Sequence, residues 1–316
     1  MRLKKDTATF ADSAFRSERL NSLMGSLSLL NDLEGDRVPE SLPPIVDAHV
    51  HLFPDELFAA IWSWFDRFAW PIRYKLGSHE VLEFLLSRGV NKVVGLHYAH
   101  RPGIAKNLNA YMALLCKSFP QLIGTATVFP GEKDAGEILE RAFDIGLAGV
   151  KLHSHVQFFS MNSREMHEIY EICSKHGNPL IIHAGKEPRS PVFEYKVDPY
   201  EICGAARVEP VLKEYPDLNI VVPHLGADEY DIFGELIRKY DNLWLDIAMV
   251  LADYLPDPKP PDFTAMRLDR VMYGTDFPHL PYAWDRELSK LCGLGLDESD
   301  LAGVLGGNAM RLFSNE

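Results

Sequence analysis

The sequence predicts an α/β protein, a (β/α)8 barrel with an N-terminal helical arm, and three observations predict it. From Ile45 onward, apolar runs of strand length alternate with amphipathic helix patterns, the signature of a parallel sheet with crossovers. Eight such runs can be counted, and 316 residues accommodate a barrel of about 250 residues with an added segment. Five of the runs end in a residue able to bind metal, and parallel barrels place their reactive groups at the carboxyl ends of the strands.

Residues 1–43 stand apart from 44–316, the barrel domain. Asn21 to Leu30 carries leucines at helical spacing before Gly35, Pro39, Pro43 and Pro44 break the chain, which predicts an arm with one short helix docked on the barrel or a partner subunit. Strand one is Pro44-Ile45-Val46-Asp47-Ala48-His49-Val50-His51. After it comes an insertion, Asp55 to Lys75, with Trp62, Trp64, Phe65, Phe68, Trp70 and Tyr74 beside Arg67 and Arg73; it reads either as an amphipathic helix on the rim or as an aromatic lid. Further strands are expected at Asn91 to His97, Leu122 to Phe129, Gly149 to His153, Pro179 to His183, Ile220 to His224, Asn242 to Ile247 and Val271 to Asp276. Helix patterns fill His79 to Arg88, Ala135 to Asp144, Ser163 to His176 and Asp228 to Tyr240. Three of these end in a stop signal, Arg88-Gly89, Ile145-Gly146 and His176-Gly177. The proline-rich stretch Leu251 to Phe263 predicts a stiff surface loop. An open doubly wound sheet would want a glycine-rich turn after strand one, where this chain has His-Val-His-Leu-Phe-Pro.

Composition narrows the function classes. Hydrophobic residues make up 47%, so a large core is available. A net charge of -13 argues against nucleic acid as partner. No stretch reaches the ~20 apolar residues that span a bilayer. Arg2, Lys4 and Lys5 have no apolar core behind them, so the first residues do not read as a secretory signal. Cys116, Cys173, Cys203 and Cys292 are scattered, without a Cys-x-x-Cys pair. Free thiols, buried at Cys116 and Cys173, and a cytoplasmic location follow as the default expectation.

The strand ends carry the chemistry. Residues i and i+2 of a strand face one side, so His49 and His51 point together and can hold one divalent ion, with His183 and Asp276 arriving from strands five and eight. Four protein ligands of this kind leave a position for water, whose pKa a catalytic ion lowers to about 7. Asp276 can also accept the proton of that water. Nitrogen-rich ligands suit zinc. His97, His100 and Arg101 follow strand two, and Arg101, like Arg189 after strand five, is a candidate clamp for a substrate carboxylate. His153 and His155 form a second His-x-His, either pocket lining or rim, while His279 lies just past Asp276.

In its motifs the chain resembles the amidohydrolase superfamily. Val-Asp-Ala-His-Val-His, Gly-Val-Lys-Leu-His, Ile-His-Ala-Gly, Pro-His-Leu-Gly, Tyr-Gly-Thr-Asp-Phe-Pro and a closing Gly-Asn-Ala-Met-Arg-Leu-Phe are similar to those of its amidohydrolase-2 branch, over roughly Ile45 to Phe313. The resemblance implies that His49, His51, His183 and Asp276 are metal ligands, and that His224 transfers protons or binds a second ion. It also implies two alternatives for Lys151: a carboxylated bridge between two ions, or an unmodified lysine that pairs with Asp276 or binds a substrate carboxylate. One ion is favoured over two. The branch contains hydrolases and non-oxidative decarboxylases of small aromatic or unsaturated acids. The first expectation is therefore a hydrolase of a small amide, ester or lactone, and the alternative is a decarboxylase. A homo-oligomer is left open.

Overall fold

The structure, a computed structural model, describes residues 27–186, 190, 192–255, 261–263 and 266–314. Among the described residues there are eight strands: β1 (Val46–His51), β2 (Lys92–Leu96), β3 (Leu122–Gly124), β4 (Val150–His153), β5 (Leu180–His183), β6 (Ile220–Val222), β7 (Leu243–Asp246) and β8 (Val271–Met272). All pair in parallel, as one sheet β1-β2-β3 and a second β4-β5-β6-β7-β8. Two isolated bridges, Ala126 to Val150 and Val50 to Phe277, join the sheets at both edges, so the strands follow one another round a ring in chain order. The predicted strands at 122–129 and 271–276 shorten to their first residues, because the chain there bends away into the residues that make these seams.

Alternation along the strands divides the core. Val46, Ala48, Val94, Leu96, Ile181, Val221, Trp244 and Met272 pack together inside the ring and are closed below by Ala309, Leu312 and Phe313 of the last helix. The opposite faces, among them Val93, Val150, Leu152, Leu180, Ile182, Val222 and Leu245, pack against the surrounding helices. β1 breaks its own alternation: Val46 and Ala48 face inward, but Val50 belongs to the outer layer. The register against β2 shifts between Asp47 and Val50. A bulge of this kind re-aims side chains, and here it turns His49 and His51 to the inside.

The predicted helices form at Ser78–Ser87, Ala135–Asp144, Arg164–His176 and Tyr230–Lys239. Gly89, Gly146 and Gly177 all have φ between 67 and 96°, the left-handed stop the sequence implied. The insertion after β1 is a helix, α1 (Asp55–Phe68). The arm helix expected in 21–30 lies mostly outside the described residues; from 27 to 38 the chain forms neither helix nor strand and is docked on the barrel. The cysteines are free, with Cys173 buried as expected and Cys116 only half-buried. No helix of the described residues is long and apolar enough to cross a membrane.

Candidate active site

The mouth of the ring gathers most of the predicted residues. His49 Nε2 and His51 Nε2 lie 3.2 and 2.9 Å from one oxygen of Asp276. These three buried residues form one group able to hold a metal ion. His49 Nε2 has no hydrogen-bond partner despite its approach to Asp276. His49 Nδ1 meets Asp246 Oδ2 at 2.9 Å, an outer contact of the kind that fixes the tautomer and orientation of a metal-binding imidazole. Lone pairs and a carboxylate oxygen converging in a buried space fit a divalent cation.

His183 and His224 stand across the mouth, ring centres 4.7 Å apart, and His224 lies 5.0 Å from the His49 ring. His183 is not within the His49–His51–Asp276 group, although it lines the same pocket. His153 stacks on it at 3.9 Å. His224 directs Nδ1 to the Ala248 carbonyl at 2.8 Å, and its backbone N–H donates to Asp246 at 3.0 Å. A second group, His49, His224 and Asp246, also has the spacing for a cation, though hydrogen bonds already join its members.

Backbone strain accompanies the chemistry. Asp276 and His224 have φ of 72 and 56°, left-handed values uncommon outside glycine. Such strain persists only where surrounding structure imposes it, and it clusters at functional sites. Asp47 supplies part of that frame beneath the pocket, accepting hydrogen bonds from Thr275 Oγ1 at 2.6 Å and from the Thr275 and His49 N–H groups at 3.1 Å.

Burial and neighbouring charge set the protonation states. Burial pushes the Asp276 carboxyl upward, but the close approach and charge of His49 and His51 outweigh that and hold it well below the usual range. Burial alone would depress His49, yet the charge of Asp246 raises it to about 8. His51 is pushed down to about 3 by burial, and burial also lowers His183 and His224. Lys151 is fully buried with no hydrogen-bond partner for Nζ; burial lowers it to about 8 against the pull of Asp246 and Asp276.

Aromatic and apolar side chains complete the pocket. Phe65 of α1 and Trp70 just beyond it line the wall with Tyr98, Tyr230, Met249 and Leu255. The insertion is therefore both helix and pocket wall. His279, 2% exposed, is stacked between His51 and Phe65, with ring centres at 4.7 and 5.1 Å. Arg101 is exposed and does not line this pocket, so the structure does not bring it to the site. Arg189 lies outside the described residues. Asp246 escaped sequence reasoning, although Leu-Trp-Leu-Asp repeats the pattern of an apolar run ending in a ligand-type residue.

A parallel α/β barrel with histidines and aspartates at its strand ends defines a class of enzyme scaffold. The chain belongs to the amidohydrolase family, whose profile matches residues 46–314. Its fold is similar to an uncharacterized TIM-barrel protein from Bordetella bronchiseptica, at TM-score 0.64 and 20% identity over 85% of this chain and 98% of that one. A 5-carboxyvanillate decarboxylase from Novosphingobium aromaticivorans, complexed with manganese and 4-hydroxy-3-methoxy-5-nitrobenzoic acid, matches at TM-score 0.62 and 16% identity, covering 90% of this chain and 99% of that one. A Pseudomonas putida protein described as a 2-pyrone-4,6-dicarboxylic acid hydrolase matches at 0.59 and 18%, covering 85% and 97%. No curated protein sequence matches the chain.

Proposed function

We propose that the chain is a metal-dependent hydrolase acting on an amide, ester or lactone of a small molecule. The observation that carries this reading is the convergence of His49 and His51 on one oxygen of a strongly acidic Asp276, with Asp246 orienting His49 from behind. One divalent ion held by His49, His51, Asp276 and His183 would supply Lewis-acid activation of water or of a substrate oxygen. Zinc suits the nitrogen-rich set, and manganese is the alternative. Asp276, kept ionised by its histidine neighbours, accepts a proton from the attacking water. With Nδ1–H donating to the Ala248 carbonyl, neutral His224 presents the lone pair of Nε2 to the pocket, where it takes up the proton released through Asp276 and passes it to the leaving group. His153 lines the pocket from β4, and the Lys151 ammonium, buried behind that lining, attracts the negative end of the substrate through its charge.

A second reading is a decarboxylase of a small aromatic acid, and the aromatic wall favours it. A carboxylate bound against Phe65, Trp70 and Tyr98 loses hydration, while a transition state that spreads its charge loses less. Elemental analysis combined with a panel of esters, lactones and aromatic acids separates the two: hydrolysis releases acid, decarboxylation releases carbon dioxide. Absence of bound transition metal together with activity insensitive to chelators would sink both.

A further inference from the structure

The family match begins at residue 46, yet part of the preceding chain reaches the pocket wall. Asp32 is the centre of that reach. Its Oδ1 accepts from Arg73 Nη1 at 2.7 Å and from the Ala283 N–H at 3.0 Å, and its Oδ2 accepts from Arg286 Nη1 at 3.0 Å. Arg286 also donates through Nε to the Ala252 carbonyl. Around Asp32, the Leu30 N–H donates to Pro281 at 2.8 Å, Trp284 Nε1 donates to Gly35 at 3.0 Å, and Tyr254 donates to the Ser28 carbonyl at 3.2 Å.

These contacts tie three separate segments, 70–74, 249–255 and 279–286. Each contributes to one side of the pocket: Trp70 from the first, Met249, Val250 and Leu255 from the second, His279 from the third. The segments also hold each other, since Trp70 Nε1 donates to the His279 carbonyl at 2.8 Å and the Arg73 N–H donates to Leu280 at 2.8 Å. The Asp32, Arg73 and Arg286 side chains are only 21–23% exposed, so their pairing is less screened than that of a surface pair.

We propose that residues 28–35 form a clasp for the apolar wall of the pocket, with Asp32 as a positioning residue. The clasp sets how closely Trp70, Leu255 and His279 approach the body of a bound molecule, and itself makes none of the contacts that hold His49, His51 and Asp276 in place. The proposal rests on the pocket being the substrate site, but not on which reaction occurs there.

Hydrogen–deuterium exchange on the full chain, wild type against Asp32→Ala and Asp32→Asn, tests it. In Asp32→Ala, amides of 251–255 and 280–284 should exchange about tenfold faster, with β1, β5 and metal content unchanged. Asp32→Asn, which keeps one acceptor oxygen, should fall between. Titration then separates positioning from bulk stability. Asp32→Ala should bind 4-hydroxy-3-methoxy-5-nitrobenzoic acid, which is large enough to reach the wall, about tenfold more weakly. Acetohydroxamic acid, a small metal binder, should bind within about twofold of wild type. Unchanged exchange in both segments, acceleration spread evenly through the strands, or equal weakening of both probes would overturn the clasp. If wild type binds neither probe, the substrate-site reading fails, and the exchange pattern alone decides the clasp.

Discussion

Asp246 illustrates how one oxygen atom fixes the chemistry of a neighbour. It meets His49 Nδ1 at 2.9 Å and leaves Nε2 facing the cluster. Asp246→Asn removes the charge while keeping the shape, so metal affinity should drop about 10- to 100-fold, measured by competition with a chromogenic chelator. His51→Ala should lose metal and activity yet keep its circular dichroism spectrum, because the apolar layer below does not depend on it; a grossly unfolded variant would instead mark the ion as structural. His224→Asn separates one ion from two. With one ion, metal content stays near wild type while kcat falls by about 10² or more. With two, stoichiometry roughly halves, and Lys151→Ala matches it.

At the scale of elements, the glycines that close Ile-His-Ala-Gly and Pro-His-Leu-Gly have a steric cause. Gly185 and Gly226 meet where the chain leaves β5 and β6, and a Cβ on Gly185 would come within 2.0 Å of the Gly226 carbonyl oxygen. Their φ values, 103 and 83°, are ones that other residues rarely adopt. Gly185→Ala should therefore lower Tm by about 5 °C or more and reduce metal content by displacing His183.

Glu287 governs the loop after β7, accepting from the Leu251 and Ala252 N–H groups at 3.0 and 3.1 Å, and burial raises it to about 8. The folded value lies above the unfolded one. The destabilisation is thus absent below about pH 4.5, grows as pH rises, and is complete above about 8. Against Glu287→Gln, wild-type Tm should fall faster between pH 5 and 8; parallel profiles in a pH series of thermal melts would refute this.

For the whole molecule, the order of strands and helices was legible from apolar runs, amphipathic periods and stop glycines, since each reflects local sequence. Strand lengths were not, because seam geometry cut short β3 and β8. The inward turn of His49 and His51 could be read from their spacing, whereas the bulge that produces it depends on pairing with β2. Arg101 marks the limit from the other side. A cation that follows a strand in sequence need not face the mouth, and Arg101 is exposed and outside the pocket, whereas His183, at the end of β5, does line it. Stripping the ion should lower Tm while secondary structure persists, as expected for a ligand that binds only the folded state; this is checked by melts with and without chelator.

The edge where β8 meets β1 has a consequence for how the barrel opens. There Ala48, Asp276 and His51 donate backbone hydrogen bonds to Tyr273, His49 and Phe277, and the candidate ligands stand on opposite sides of the line. A cation shared between His51 and Asp276 would work as a rivet through a lap joint, linking the first and last turns of the chain's circuit. Filling the site would then stiffen the joint that joins the two ends of the fold, and emptying it would make that joint the first to part.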